Sequence, residues 1–261
     1  MKKVKKAFQV PIFLGLFSWE FSAHADLEAA IYNVDNHSPS WACGGKNFSH
    51  GYNTANYLKT KIVGWNWDRV VREGDVNVWF GQMADRSLDS DGDDHIANYG
   101  WDTHDLAFLY SHGGKSCSSE YSSVKMGRGT DQCKLYIGKD YSGNDAWWGG
   151  GQSGGSDLNI AIIDTCQSVH KCVWAGGGYR NNSGSFGALL GFHGESYDSS
   201  THTGNFEDFV DMSRYDGLGL NWVTEMTEFY GVNEDECATV VTIGSTSSDR
   251  NNIYNNGGLQ D

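Results

Sequence analysis

The sequence predicts an α/β fold: an open, mainly parallel sheet flanked by helices, with long Gly-rich loops. Three observations predict it. The apolar runs Leu106–Ser111, Leu158–Ile163 and Ala188–Phe192 are short and bounded by Gly and polar residues, as buried strands of a parallel sheet are. Segments of helical pattern alternate with strand-like ones. The 34 Gly against only 2 Pro indicate many tight loops rather than a disordered chain.

In chain order, Leu27–Val34 reads as a first strand and Trp41–Gly45 as a turn. Asn53–Val63 has the spacing of a moderately amphipathic helix. Val70-Val71 and Val76–Phe80 read as a short hairpin or as edge strands, and Gln82–Asp105 as a long loop rich in Asp and Asn. After the strand at Leu106–Ser111, Gly113–Gly155 reads as mostly irregular, with a short strand at Leu135–Ile137. The strand Leu158–Ile163 is followed by a short helix over Ser168–Ala175 and a third apolar strand, Ala188–Phe192. Helices are expected over Asn205–Met212 and Leu218–Phe229, a last strand over Ala238–Ile243, and a polar, mobile tail from Ser245.

Residues 1–25 have the pattern of a signal peptide. Lys2, Lys3, Lys5 and Lys6 form a basic start, Ala7–Phe17 a short apolar core, and Ala23-His24-Ala25 a small-x-small cleavage site. The core is shorter than the roughly 20 residues a bilayer span needs, and no later stretch is long and apolar enough. The expectation is therefore a secreted or periplasmic protein cleaved near Ala25, with no membrane span. One domain is expected over 26–247 and a mobile tail over 248–261. Four of the 19 Lys and Arg and one of the 33 Asp and Glu lie in the leader, leaving 15 against 32 and a net charge of −17. Such a charge argues against nucleic acid and anionic membrane as partners. The oligomeric state is left open.

Two of the apolar runs end in reactive residues. Leu106–Ser111 leads into His112-Gly113-Gly114, and Leu158–Ile163 into Asp164-Thr165-Cys166. Chemistry in parallel sheets sits just beyond the carboxyl ends of the strands. If these two strands are neighbours, an imidazole and a thiol meet at one edge, the minimum equipment of a cysteine nucleophile. The N–H groups of Gly113 and Cys166 are candidates for an oxyanion hole. Asp164 shares a strand face with Cys166 and is a candidate orienting group, or simply a cap for the following helix. In an exported protein the six Cys are candidates for disulfides, so Cys166 is either a nucleophile or a bridge partner, Cys172 being the nearest. Cys117–Cys133 is the expected bridge, because both lie in a polar loop between strands.

Ser111-His112-Gly113-Gly114 and Asp164-Thr165-Cys166-Gln167-Ser168 resemble the two motifs of the caspase-like cysteine peptidases, a group that includes legumain, clostripain, separase and the gingipains. More closely, the chain resembles an uncharacterised bacterial family of exported proteins in which a strand like Leu189–His193 follows the Cys motif. The resemblance extends from Tyr32 to Gly244 and is clearest from His104 to Asp198. It implies a caspase-like fold with Cys166 as nucleophile and His112 as general base; the chemistry expected of such a dyad is acyl transfer on a peptide or protein substrate. The Gln-Ala-Cys-x-Gly form of the caspases is absent, so Asp specificity is not implied.

His193 ends the third apolar run and is a candidate pocket wall. Glu195 or Asp198, lining such a pocket, would favour a basic residue before the scissile bond. The run Asp89-Ser90-Asp91-Gly92-Asp93-Asp94-His95 resembles the start of a calcium loop, with Asp89, Asp91 and Asp93 as ligands and Asp102 or Asp105 completing the set in place of the missing Glu. Such an ion would be structural, since the dyad requires no cofactor. Gly151-Gln152-Ser153-Gly154-Gly155 matches G-x-S-x-G but precedes a strand instead of following one, as an accidental match would. The alternative to a peptidase is a secreted, non-catalytic binding protein on the same fold, with Cys166 in a disulfide and loops such as Trp147-Trp148 holding a ligand.

Overall fold

The computed structural model describes residues 27–38, 42–86, 89–96, 98–128, 132–138, 157–174, 186–228, 237–243 and 246–259. The leader, Ser153 and Trp147-Trp148 lie outside them.

Six strands form the main sheet. They are β1 (Glu28–Asn33), β2 (Arg69–Gly74), β3 (Leu106–Tyr110), β7 (Ile160–Asp164), β8 (Ala188–Phe192) and β9 (Ala238–Thr242), in the order β2-β1-β3-β7-β8-β9. All pairs are parallel except β8 with β9. Every residue of β3 and of β8 is buried, which is why both read as unbroken apolar runs rather than alternating ones.

Successive residues serve opposite faces of this sheet. Ile31, Phe108, Ile162 and Leu190 share a core with α1 (Gly51–Gly64), α3 (Ser200–Met212) and α4 (Leu218–Glu228), centred on the buried Phe206, Phe209 and Trp222. Tyr32, Leu109, Ile163 and Leu189 face the other way. There they pack with Phe80, Met83 and Trp101 of the long acidic loop and with Val124, Leu135 and Ile137 of a second, smaller sheet.

That smaller sheet corrects the sequence reading of Gly113–Gly155. Strands β4 (Gly113–Ser116), β5 (Tyr121–Lys125) and β6 (Lys134–Gly138) pair antiparallel in that order. Only Leu135 and Ile137 announce it, because β4 has no apolar side chain and β5 has the single apolar Val124 besides Tyr121. The hairpin alternative also falls: Val70-Val71 belong to β2, an edge strand parallel to β1, and Val76–Phe80 fall in two short 3-10 turns and their link.

The polar tail contains a helix that the sequence reading does not predict. Ser247–Asn256 form α5, opened by a capping box in which Thr246 Oγ1 accepts from Asp249 N–H and Asp249 accepts from Thr246 N–H. Leu259 beyond it is buried in the helical core. Short α2 (Lys171–Trp174) follows the turn after β7. Among the described residues no helix is long and apolar enough to cross a membrane.

Candidate active site

The parallel register of β3 and β7 pairs Tyr110 with Asp164 at the strand ends. His112 and Cys166 therefore stand two residues beyond one registered pair, at the same edge of the sheet. Gly113 shows how close the two strand ends run. A Cβ at this position would lie 2.1 Å from the Cys166 carbonyl oxygen and 2.5 Å from Thr165 Oγ1, so no larger residue fits without moving the backbone.

Cys166 sits in a tight turn. Thr165 N–H donates to Ile163 O (2.9 Å), and Gln167 adopts the left-handed conformation (φ 58°). Ser168 Oγ donates back to Ile163 O at 2.8 Å and accepts from Phe192 N–H, stitching the turn to β8. The thiol is half-buried. Its Sγ accepts from Ser196 N–H (3.4 Å) and lies 3.5 Å from Ser196 O, to which it donates. Burial pushes the Cys166 thiol above its ordinary value; the Ser196 N–H opposes this, and the Glu195 and Asp164 carboxylates add to it.

His112 is held from the other side. Its ring packs on Phe48 (centroids 4.1 Å apart) and on His37 (4.6 Å), and Nε2 donates to Lys46 O at 2.6 Å. That bond assigns the proton to Nε2 and the lone pair to Nδ1. Burial lowers the imidazole below its ordinary value, the Lys46 carbonyl opposes this, and Lys125 adds to the lowering. Both members of the candidate dyad are thus neutral at rest, and their hydrogen bonds run to Lys46 and Ser196 rather than to each other. Resting catalytic contacts commonly tighten only when substrate binds.

Asp164 caps no helix. It is buried, accepts from Ser196 Oγ through Oδ1 (2.6 Å), and meets His202 Nε2 through Oδ2 (2.7 Å). It thereby holds the residue that brackets the thiol. His202 lies before the helix that the sequence predicts, which begins at Asn205. Its spacing of four, seven and eight residues to Phe206, Phe209 and Val210 is the signal that places it on the apolar face of α3.

The four cysteines that do pair flank the site. Cys43 bonds Cys133 (Cα atoms 5.1 Å apart) and Cys117 bonds Cys172 (5.4 Å). The first ties down the segment leading to Lys46; the second ties the β4–β5 turn to α2, just after Cys166. The expected Cys117–Cys133 bridge is ruled out by the small sheet. Cys117 follows Ser116 at the end of β5 where Tyr121 pairs, whereas Cys133 precedes Lys134 at the opposite end, where Lys125 pairs. The Cys166–Cys172 alternative falls as well. Cys166 and Cys237 are in no disulfide.

His193 stacks on His170 (centroids 4.0 Å apart) and donates its backbone N–H to Cys237 O. Glu195 is exposed, close enough to act on the thiol. Asp198 is engaged elsewhere: it accepts from Ser49 N–H, His50 N–H and Tyr110 Oη–H, fixing the start of α1 to β3. A groove of about 440 Å³ lined by His50, Tyr57, Ser200 and Glu207 lies between α1 and α3.

The Asp-rich run does not form one ligand loop. Asp91 N–H donates to Asp89 Oδ1 in a turn at the surface, and Asp93 N–H donates to Gly81 O. The carboxylates that turn inward are Asp85, Asp94 and Asp102, all fully buried. Asp105 accepts from Glu28 N–H and Asn159 Nδ2 and clasps three strands instead.

His37 makes acid stability a measurable consequence of this packing. Its Nε2 donates to Val34 O at 3.0 Å, and burial, reinforced by His112, lowers it from 6.5 to about 4. A folded state that refuses a proton the unfolded chain accepts is stabilised fully above the unfolded value. The stability from His37 is then lost as pH falls from 6.5 to about 4 and levels off below. His37→Gln, which keeps an N–H for Val34, is expected to flatten the thermal midpoint across that window relative to wild type. Parallel profiles for the two proteins would contradict the assignment.

No family model matches the sequence, and no curated protein matches it. Among solved structures, the chain is similar to the crystal structure of protein GSU0716 from Geobacter sulfurreducens, with a TM-score of 0.50 at 10% identity, covering 89% of this chain and 97% of that one. At that identity the likeness concerns the fold alone: an α/β chain with a mainly parallel sheet.

Proposed function

We propose that the protein is an exported cysteine peptidase-like hydrolase of caspase-like type, in which Cys166 attacks a peptide carbonyl and His112 takes the thiol proton. The observation that carries this reading is the fate of Cys166. Four cysteines pair around it, while the one at the end of β7 stays a thiol at the edge where β3 delivers His112. Cys166 S–C bond formation moves the carbonyl electrons onto oxygen, for which Gly113 N–H and Cys166 N–H are the candidate donors. Collapse expels the amine, protonated by His112, and water releases the acyl group. Glu195 favours a substrate with a cationic residue before the scissile bond.

The test uses Cys237 as an internal reference. The oxidised mature protein is treated with iodoacetamide near neutral pH and mapped by peptide. Faster alkylation of Cys166 than of Cys237, slowed at least tenfold in His112→Ala, is the expected result, in line with general-base assistance of about 10²–10⁴. Alkylation of Cys166 no faster than of Cys237, and insensitive to His112→Ala, would overturn the reading. The binding-protein reading has one observation in its favour, the resting engagement of His112 with Lys46 O; that second result is the one it requires.

A further inference from the structure

The loop from Val78 to His104 covers the sheet face opposite the helices, anchored by Phe80, Met83 and the fully buried Trp101. Its backbone folds back on itself: Asp94 N–H donates to Ala84 O and Asp102 N–H to Asp94 O. Gly100 permits the second contact, since a Cβ there would lie 2.1 Å from Asp94 O. The consequence is electrostatic. Asp94 and Asp102 are brought together with Asp85 acting on Asp94, and all three are shut off from solvent.

A buried carboxylate that stays ionised is paired, hydrogen-bonded or bound to a cation. Neither carboxylate oxygen of Asp94 accepts a hydrogen bond from another residue, and among the described residues no lysine or arginine pairs with it. His95 Nε2, also without a hydrogen-bond partner, lies 3.9 Å from Asp94 Oδ1. One oxygen each of Asp94 and Asp102 and one nitrogen of His95 fall within 4.8 Å of one another. Two ligands at about 2.0–2.6 Å from one ion lie at most about 4.0–5.2 Å apart, so this spacing fits a single ion.

We infer that Asp94 and Asp102, with His95 at the rim and Asp85 beside them, bind one divalent cation. The ion replaces the missing hydrogen bonds of Asp94 and fastens the acidic loop to the sheet. It is independent of the hydrolase reading, because the site lies in the loop that precedes β3 and the dyad lies beyond that strand's carboxyl end.

The test is calorimetric. Chelator-treated mature protein is titrated separately with Ca²⁺, Mn²⁺ and Zn²⁺, by isothermal titration and by thermal denaturation. One equivalent of at least one cation is expected to bind and to raise the midpoint. At a hundred times Kd the folded-to-unfolded ratio gains about a hundredfold. Asp94→Asn is expected to abolish both signals; Asp102→Asn serves if that variant does not fold, and Asp89→Asn and Asp91→Asn are expected to keep them. Retention in His95→Ala identifies an oxygen-only site suited to Ca²⁺, whereas loss identifies an imidazole ligand suited to Mn²⁺ or Zn²⁺. No binding of any of the three, or binding that survives Asp94→Asn and Asp102→Asn, would overturn the inference.

Discussion

His112→Ala is expected to lower kcat/KM on peptides carrying Lys or Arg before the scissile bond by about 10²–10⁴-fold, the usual worth of a positioned general base. Cys166→Ala is expected to remove the activity, leaving both disulfides and the thermal midpoint close to wild type. The reason for separating the two variants lies in the resting state. Burial raises the thiol and lowers the imidazole, so the pair begins neutral and not as a thiolate–imidazolium ion pair. A neutral thiol depends on its base for every turnover, which makes the His112 penalty large. It also fixes the pH profile: the acid limb of kcat/KM, set by protonation of free His112, is expected below the ordinary imidazole value. Glu195→Gln is expected to raise KM for the cationic peptides with little change in kcat, because in the proposed reading its carboxylate pairs with the cationic side chain and takes no part in the chemistry at the thiol. Full activity in Cys166→Ala, or an acid limb at the ordinary imidazole value or above, would remove the dyad from the chemistry.

The sequence revealed those parts of the molecule in which local pattern and burial agree. Strands β3, β7 and β8 are buried on both faces, so their apolar runs stand out, and the residues at their ends, His112 and Cys166, came with them. The small sheet stayed hidden because its strands are held mainly by backbone hydrogen bonds, with few apolar side chains to mark them. Disulfide pairing depended on that sheet: once β5 separates Cys117 from Cys133 the expected bridge is impossible. In α5 the near-polar composition leaves no apolar stripe to mark a helix, and the capping box of Thr246 and Asp249 emerges only from the structure. The acidic loop was read as a run of alternating ligands, whereas the burial of Asp94 and Asp102 comes from backbone contacts that join positions distant along the loop. His202 and Ser196 meet Asp164 only through tertiary packing, more than thirty residues away in sequence for each.

Asp164→Ala is expected to cost about 1–3 kcal/mol, the range found when buried polar groups are left without their hydrogen-bond partner. Asp164 and His202 are both fully buried, and the imidazole lies among Phe192 and Tyr110. Removing the carboxylate takes the acceptor from His202 Nε2 and from Ser196 Oγ together. Urea denaturation under non-reducing conditions is expected to show a lower midpoint with an unchanged slope. Asp164→Asn, which keeps an oxygen for Ser196, is expected to lose less. Replacing both partners, as Asp164→Ala with His202→Phe, is expected to recover part of the loss, because an apolar pair leaves no buried polar group to satisfy. The same lesion reaches the thiol: Ser196 loses the anchor that presents its N–H and carbonyl to Cys166 Sγ. In the folded fraction of Asp164→Ala, Cys166 alkylation is therefore expected to change while that of Cys237 does not. A midpoint within about 1 kcal/mol of wild type would mean that the Asp164–His202 contact does not hold this edge of the sheet together. Unchanged Cys166 reactivity in a destabilised variant would confine Asp164 to the core and detach it from the site.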